Sequence, residues 1–165
     1  MRTPLSRTRK LAALASATAA AALAVAATAT PALAWTAGDF TAELNGTMVI
    51  DAGIPASCTD STLSGTVDAD GNLTITDASV DGCGVTVTPQ NLPWSGKLDD
   101  ATGTASISGF SMSAIGCTFG GNITGGFTGS DLPVSATFTD QTVSKTGFCF
   151  INSAKITATY DFAAA

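Results

Sequence analysis

The chain has 165 residues, contains no histidine, and carries 13 acidic against 7 basic residues, for a formal net charge of −6. Without histidine it cannot assemble a Ser-His-Asp or Cys-His nucleophile. An acidic chain without a basic patch is also a poor partner for nucleic acid or an anionic membrane.

Residues 1–34 read as a secretory signal peptide. Arg2, Arg7, Arg9 and Lys10 form a basic start, residues 11–30 form an Ala-rich run without charge, and Ala32-Leu33-Ala34 provides a small-x-small cleavage pattern. The run approaches the length of a membrane span, but Ala and Thr make it only weakly lipophilic. Thr8 separates Arg7 from Arg9, so the general secretory route is expected rather than the twin-arginine one. Removing 34 of 165 residues leaves 131, residues 35–165, enough for one domain with its own core. Lys97, Lys145 and Lys155 then face all 13 acidic residues, a net charge of −10. A secreted, monomeric domain without a membrane span is expected.

Downstream of residue 34 apolar side chains alternate with Thr, Ser and Asp, the period of a strand with one buried face. Phe40, Ala42, Leu44, Met48 and Ile50 begin the pattern; Leu132, Val134, Ala136 and Phe138 repeat it, as do Ile156, Ala158, Tyr160 and Phe162. Strands are predicted over 39–50, 61–68, 72–80, 84–88, 92–98, 104–115, 121–128, 132–139, 141–147 and 153–162. Turns are expected at Asp51-Ala52-Gly53, Asp70-Gly71, Gly120-Gly121 and Gly129-Ser130-Asp131. The fold class is all-β, a single antiparallel β-sandwich or barrel with two disulfides. In TPQNLPWSGKL (88–98), Leu92, Trp94, Gly96 and Leu98 share one face. Pro93 lacks a donor N–H and belongs at a strand start or an edge.

Cys58, Cys83, Cys117 and Cys149 form an even set in an exported chain, which implies two disulfides. Zinc is the weaker alternative, since no CxxC pair is present. Asp70-Gly71 is a favoured two-residue hairpin turn, with both residues at positive φ. Cross-strand partners in that hairpin sum to 141, and so do Cys58 and Cys83. The same register puts Leu63 and Val67 on one face but Leu73 and Ile75 on the other, a conflict that a bulge or a longer loop would repair. Cys117 then pairs with Cys149 by elimination. Their midpoint falls in a predicted strand, so this bond is expected to staple non-consecutive strands or two sheets.

Catalytic devices are scarce. Ser144-Lys145 and Ser95 near Lys97 are the nearest approach to a Ser-Lys dyad, outside any known motif. Asp99-Asp100 is the one carboxylate doublet, but it precedes Ala101-Thr102-Gly103 and reads as a turn; Glu43, the single glutamate, is expected to face solvent. Asp68-Ala69-Asp70-Gly71-Asn72 resembles the start of a calcium loop without its closing glutamate. No catalytic residue, metal or cofactor is therefore expected. Aromatic side chains are the remaining candidates: Phe119, Phe148 and Phe150 flank the second cystine, and Trp94 is either a core anchor or part of an exposed platform.

The segments CTDSTLSGTV, TITDASVDGC, VTVTPQNLPWSGKL, ATGTASISGF, GCTFGGNITGGFTG and TATYDF, in this order, resemble a group of uncharacterised secreted four-cysteine all-β proteins of actinobacteria such as streptomycetes. The resemblance implies compartment and architecture, and no catalytic residue. The expected function is a secreted, non-catalytic extracellular or cell-envelope binding module, with Trp94, Phe119, Phe148 and Phe150 as possible ligand contacts. The competing expectations are an Asp-dependent secreted hydrolase and a self-associating coat protein.

Overall fold

The structure is a computed structural model that describes residues 34–165, every element of which is a strand. The signal-peptide reading falls almost wholly on residues 1–33, outside the described residues. Eleven strands follow in order: β1 (Gly38–Leu44), β2 (Met48–Asp51), β3 (Pro55–Cys58), β4 (Asp60–Val67), β5 (Asn72–Asp81), β6 (Val87–Pro89), β7 (Trp94–Asp99), β8 (Thr104–Ala114), β9 (Cys117–Phe127), β10 (Val134–Thr146) and β11 (Ser153–Ala164). Eight of them, β1, β4, β5, β7, β8, β9, β10 and β11, pair antiparallel in that order. β1 then closes the sheet on β11, from Phe40↔Ala164 to Leu44↔Tyr160. The expected sandwich or barrel is thus a closed barrel, which leaves none of these eight strands with a free edge along its paired length. β2 and β3 extend from β11, and β6 lies on β8.

Several expected strands have different bounds. The run 39–50 is two strands, because Asn45-Gly46-Thr47 breaks the alternation and lets β2 resume along β11. The short β3 carries a single buried side chain, Cys58, too little periodicity to be noticed. The two strands expected at 132–139 and 141–147 are one, β10, whose register against β11 shifts between Phe138 and Gln141. Gly120-Gly121 lies inside β9 rather than at a turn. The real turn is Ile115-Gly116, between paired Ala114 and Cys117.

The β4–β5 hairpin settles its register conflict with two offsets. Its loop has three residues, not two: Asp68 and Asn72 close it (Asp68 N–H to Asn72 O, 3.0 Å) and Gly71, not Asp70, has positive φ, +79°. Partners therefore sum to 140 from Val67↔Leu73 to Gly65↔Ile75. A bulge between Ser64 and Gly65 then restores 141 from Ser64↔Asp77 to Asp60↔Asp81. Leu63, Val67, Leu73, Ile75 and Val80 are all buried as a result. Gly65 is required there, because a Cβ would fall on the Thr74 carbonyl. Just beyond the last pair, Cys58 is bonded to Cys83. Cys117 is bonded to Cys149. That second bond does not staple distant strands. It ties the start of β9 to the loop after β10, its own neighbour, where Thr118 pairs with Thr146.

Pairing directions assign the loops to two ends. Loops 52–54, 82–86, 115–116 and 147–152 share one end; loops 68–71, 100–103 and 128–133 share the other. The second end is acidic, with Asp68, Asp70, Asp100 and Asp131, and it is closed. Trp35, 3 % exposed, packs there on Phe127 with ring centroids 5.8 Å apart, and its backbone N–H donates to Ala69 O at 3.0 Å. The middle of the barrel is filled by large side chains, among them Trp94, Phe40, Phe138, Phe162 and Met48. One polar contact crosses this interior: Ser61 Oγ and Tyr160 Oη are 2.7 Å apart, and Ser61 Oγ also donates to Ser79 O.

An apolar pocket at the barrel mouth

The end opposite Trp35 is not filled. Side chains there become small: Ala52, Ala56, Ala114 and Ala154 replace the aromatics of the middle layer. Ile50, Phe110, Met112, Phe119, Val143 and Ile156 line the walls of the space that remains, about 480 Å³. This is within the size range of small-ligand sites. Among the lining side chains only Ser57 carries a polar group, and none ionises at neutral pH. Such a surface can desolvate and hold an apolar molecule; it offers no group to move a proton.

The rim is apolar as well. Ile54, Val85 and Ile115 line the mouth while 83 %, 43 % and 63 % exposed. Each is held by its loop. Asp51 Oδ1 accepts the Gly53 N–H at 2.9 Å, shaping the turn that presents Ile54. Val85 follows Cys83, which the first disulfide fixes beside β3. Ile115 sits in a two-residue turn at φ +47°, followed by Gly116 at +77°. A β-branched side chain in the left-handed region is strained, and the favoured residue for this position is Asn, Asp or Gly. An exposed, strained isoleucine over an apolar opening is a placement that folding alone does not favour.

The sequence-predicted contacts divide sharply. Phe119 lines the pocket at 5 % exposure. Trp94 does not: it is 1 % exposed, packs on Phe110 below the pocket with ring centroids 4.9 Å apart, and donates its indole N–H to Gln90 O at 2.8 Å. TPQNLPWSGKL is therefore architecture, with Pro93 just ahead of β7. Phe148 and Phe150, 86 % and 92 % exposed, point away from the core on either side of Cys149 and stack edge to face at 5.3 Å. Their loop is held by the Cys117 bond and by Lys145 Nζ, which donates to Cys149 O at 3.0 Å. Ile54, Val85 and Ile115 escaped the sequence reading because single apolar residues in turns break no pattern. Ile115 beside Gly116, between two alternating runs, was the available sign.

The other polar candidates have structural partners. Asp68 accepts from Asn72 Nδ2, then from Asn72 N–H and Asp70 N–H, which holds its carboxyl below the ordinary range and commits its oxygens to the turn. Asp131 is lowered likewise, first by the Thr36 hydroxyl and then by the Thr36 N–H. Lys97 Nζ donates to the Asp70 carbonyl and Lys145 Nζ to Cys149 O, so neither is directed at a serine. No carboxylate is buried: all 13 acidic residues sit on the surface or in turns.

Among the described residues no helix is long and apolar enough to cross a membrane. No curated protein matches the chain, and no solved structure does. A family model matches nearly all of it, residues 3–164, and the chain belongs to the alkane oxidation protein activator PraA/PraB-like family.

Proposed function

We propose that this protein is an exported, non-catalytic binding module whose barrel mouth takes up one long apolar chain, a medium- or long-chain alkane or its alkyl equivalent. The observation that carries this reading is the 480 Å³ pocket with a single hydroxyl in its lining. The family's description as an activator of alkane oxidation agrees with it: a protein that holds hydrocarbon in water can serve an oxidation performed by another protein. Two disulfides fit an oxidising, extracytoplasmic compartment.

Each methylene moved from water into the pocket contributes about 0.8 kcal/mol. Affinity should therefore rise about fourfold per added methylene until the pocket is full. Titration with a fluorescent long-chain alkyl probe, displaced by n-alkanes of increasing length, tests this. Saturable one-to-one binding with that chain-length slope is expected. Ala114→Phe, which fills the pocket from its wall, should abolish binding and leave the fold intact by circular dichroism. Absence of saturable binding by the parent protein would sink the proposal.

A further inference from the structure

Six large apolar side chains are exposed among the described residues: Val49, Ile54, Val85, Ile115, Phe148 and Phe150. Five of them lie on the four loops of the mouth end, and each of those loops carries at least one. The same four loops, 52–54, 82–86, 115–116 and 147–152, contain no charged residue. The opposite loops carry Asp68, Asp70, Asp100 and Asp131 and expose no large apolar side chain. The barrel is thus polarised along its axis: the loops at one end are apolar and uncharged, with Asp51, Asp60 and Asp81 set back at the strand ends, and the loops at the other end are themselves acidic.

From this asymmetry we infer that the mouth end is a docking face for an uncharged hydrocarbon surface. Phe148 and Phe150 lie beside the mouth as aromatic wedges, and Ile54, Val85 and Ile115 surround the opening. Isolated exposed apolar residues are ordinary, but a contiguous set at one end marks an interaction site. Charge selects the occupant. A phospholipid head-group layer would call for cationic and many hydrogen-bonding side chains; these loops supply no cation and only Thr86 and Asn152 as polar side chains, and Lys145 is already bonded to Cys149 O. An anionic surface would repel a domain with three lysines and 13 carboxylates. An uncharged apolar phase asks only for apolar area on one side and a charged face toward water, as in an interfacial amphipathic helix. Docked in this way, the pocket opens directly onto the hydrocarbon, and a chain passes from bulk phase to pocket without crossing water.

The proposal extends the pocket reading but fails separately from it. The purified protein is mixed with n-hexadecane droplets, with phosphatidylcholine vesicles and with phosphatidylglycerol vesicles, and each is floated. Recovery with the droplets, and weak recovery with either vesicle, is expected. The double variant F148S/F150S should lose about tenfold in droplet partitioning, while its binding of the soluble alkyl probe is retained. Orientation is read by adding one tryptophan, since Trp35 and Trp94 are buried. Emission of F148W should shift to the blue on droplets; emission of T102W, at the acidic end, should not. Equal partitioning of parent and F148S/F150S, or equal shifts at both ends, would overturn the docking face. Preferential recovery with vesicles would assign the face to lipid instead. Concentration-dependent dimers in sedimentation that F148S/F150S abolishes, without droplet binding, would assign it to a second copy.

Discussion

The rings of Trp94 and Phe110 lie 4.9 Å apart, tilted by 49°, and this contact divides the packed interior of the barrel from its empty mouth. Trp94 is on the filled side, and Phe110 lines the pocket above it. Trp94→Ala should cost about 3–5 kcal/mol. It removes the floor on which Phe110 rests and leaves Gln90 O without its indole donor. Denaturant unfolding measures the loss. Trp94→Phe should cost less and leave alkyl-probe binding nearly unchanged; a large fall in binding with little loss of stability would show that Trp94 itself contacts the ligand.

Ile115 tests whether strain at the mouth serves the site. Ile115→Asn places a residue that tolerates the left-handed region into the same turn. It should stabilise the protein by about 1 kcal/mol and weaken alkyl binding, because Ile115 lines the opening. Opposite signs in thermal unfolding and in probe titration are the expected result. If stability and binding both fall, the side chain contributes to packing rather than to the site.

The Cys117–Cys149 bond closes a span of 32 residues. Replacing both cysteines by serine should remove about 3–4 kcal/mol by the chain-entropy estimate. It also frees the loop that carries Phe148 and Phe150. Droplet partitioning should therefore fall further than in an equally destabilised variant of the other end. Hydrogen exchange at residues 147–152 should rise before that of β9 does.

Stability should decline on both sides of neutrality, for different reasons. Burial raises the Tyr160 hydroxyl from 10.0 to about 12, against a smaller opposing effect of its hydrogen bond with Ser61. The fold favours the protonated phenol, so this contribution is complete below pH 10 and is lost as pH rises toward 12. Tyr160→Phe should flatten that alkaline loss, at a cost of about 1 kcal/mol at neutral pH. Asp68 and Asp131 are lowered by their turn hydrogen bonds, so the fold favours their carboxylates. Their contribution is present above the ordinary value of 3.8 and is lost as pH falls below it. Asp68→Asn should reduce the acid-side slope in pH-dependent unfolding; an unchanged slope would mean that the turn does not depend on the charge.

Much of the barrel was legible along the chain. Period two marked β1, β2, β10 and β11 because each has one face in a core and one in water. The Cys58–Cys83 pair was legible from hairpin arithmetic, although the arithmetic held through two errors that offset each other: a loop one residue longer, and a bulge at Ser64-Gly65. The staple role given to Cys117–Cys149 was wrong, since a midpoint near residue 133 is the loop between β9 and β10, not a strand. Phe119, Phe148 and Phe150 were singled out as a group near a cystine; one turns inward and two outward, a choice set by strand phase and loop geometry.

Local chemistry determined what this protein is made of: alternation dictates strands, the cysteine count implies two cross-links, and the absence of histidine removes the common nucleophilic devices. Closure of β1 on β11 depends on contacts more than a hundred residues apart, which no local pattern encodes. The pocket depends on closure, because only a barrel brings Ala52, Ala114 and Ala154 to one end, where their small side chains leave a space. The polarity of the two ends follows for the same reason. An isoleucine or phenylalanine in one turn carries no message alone; four turns brought side by side make a face.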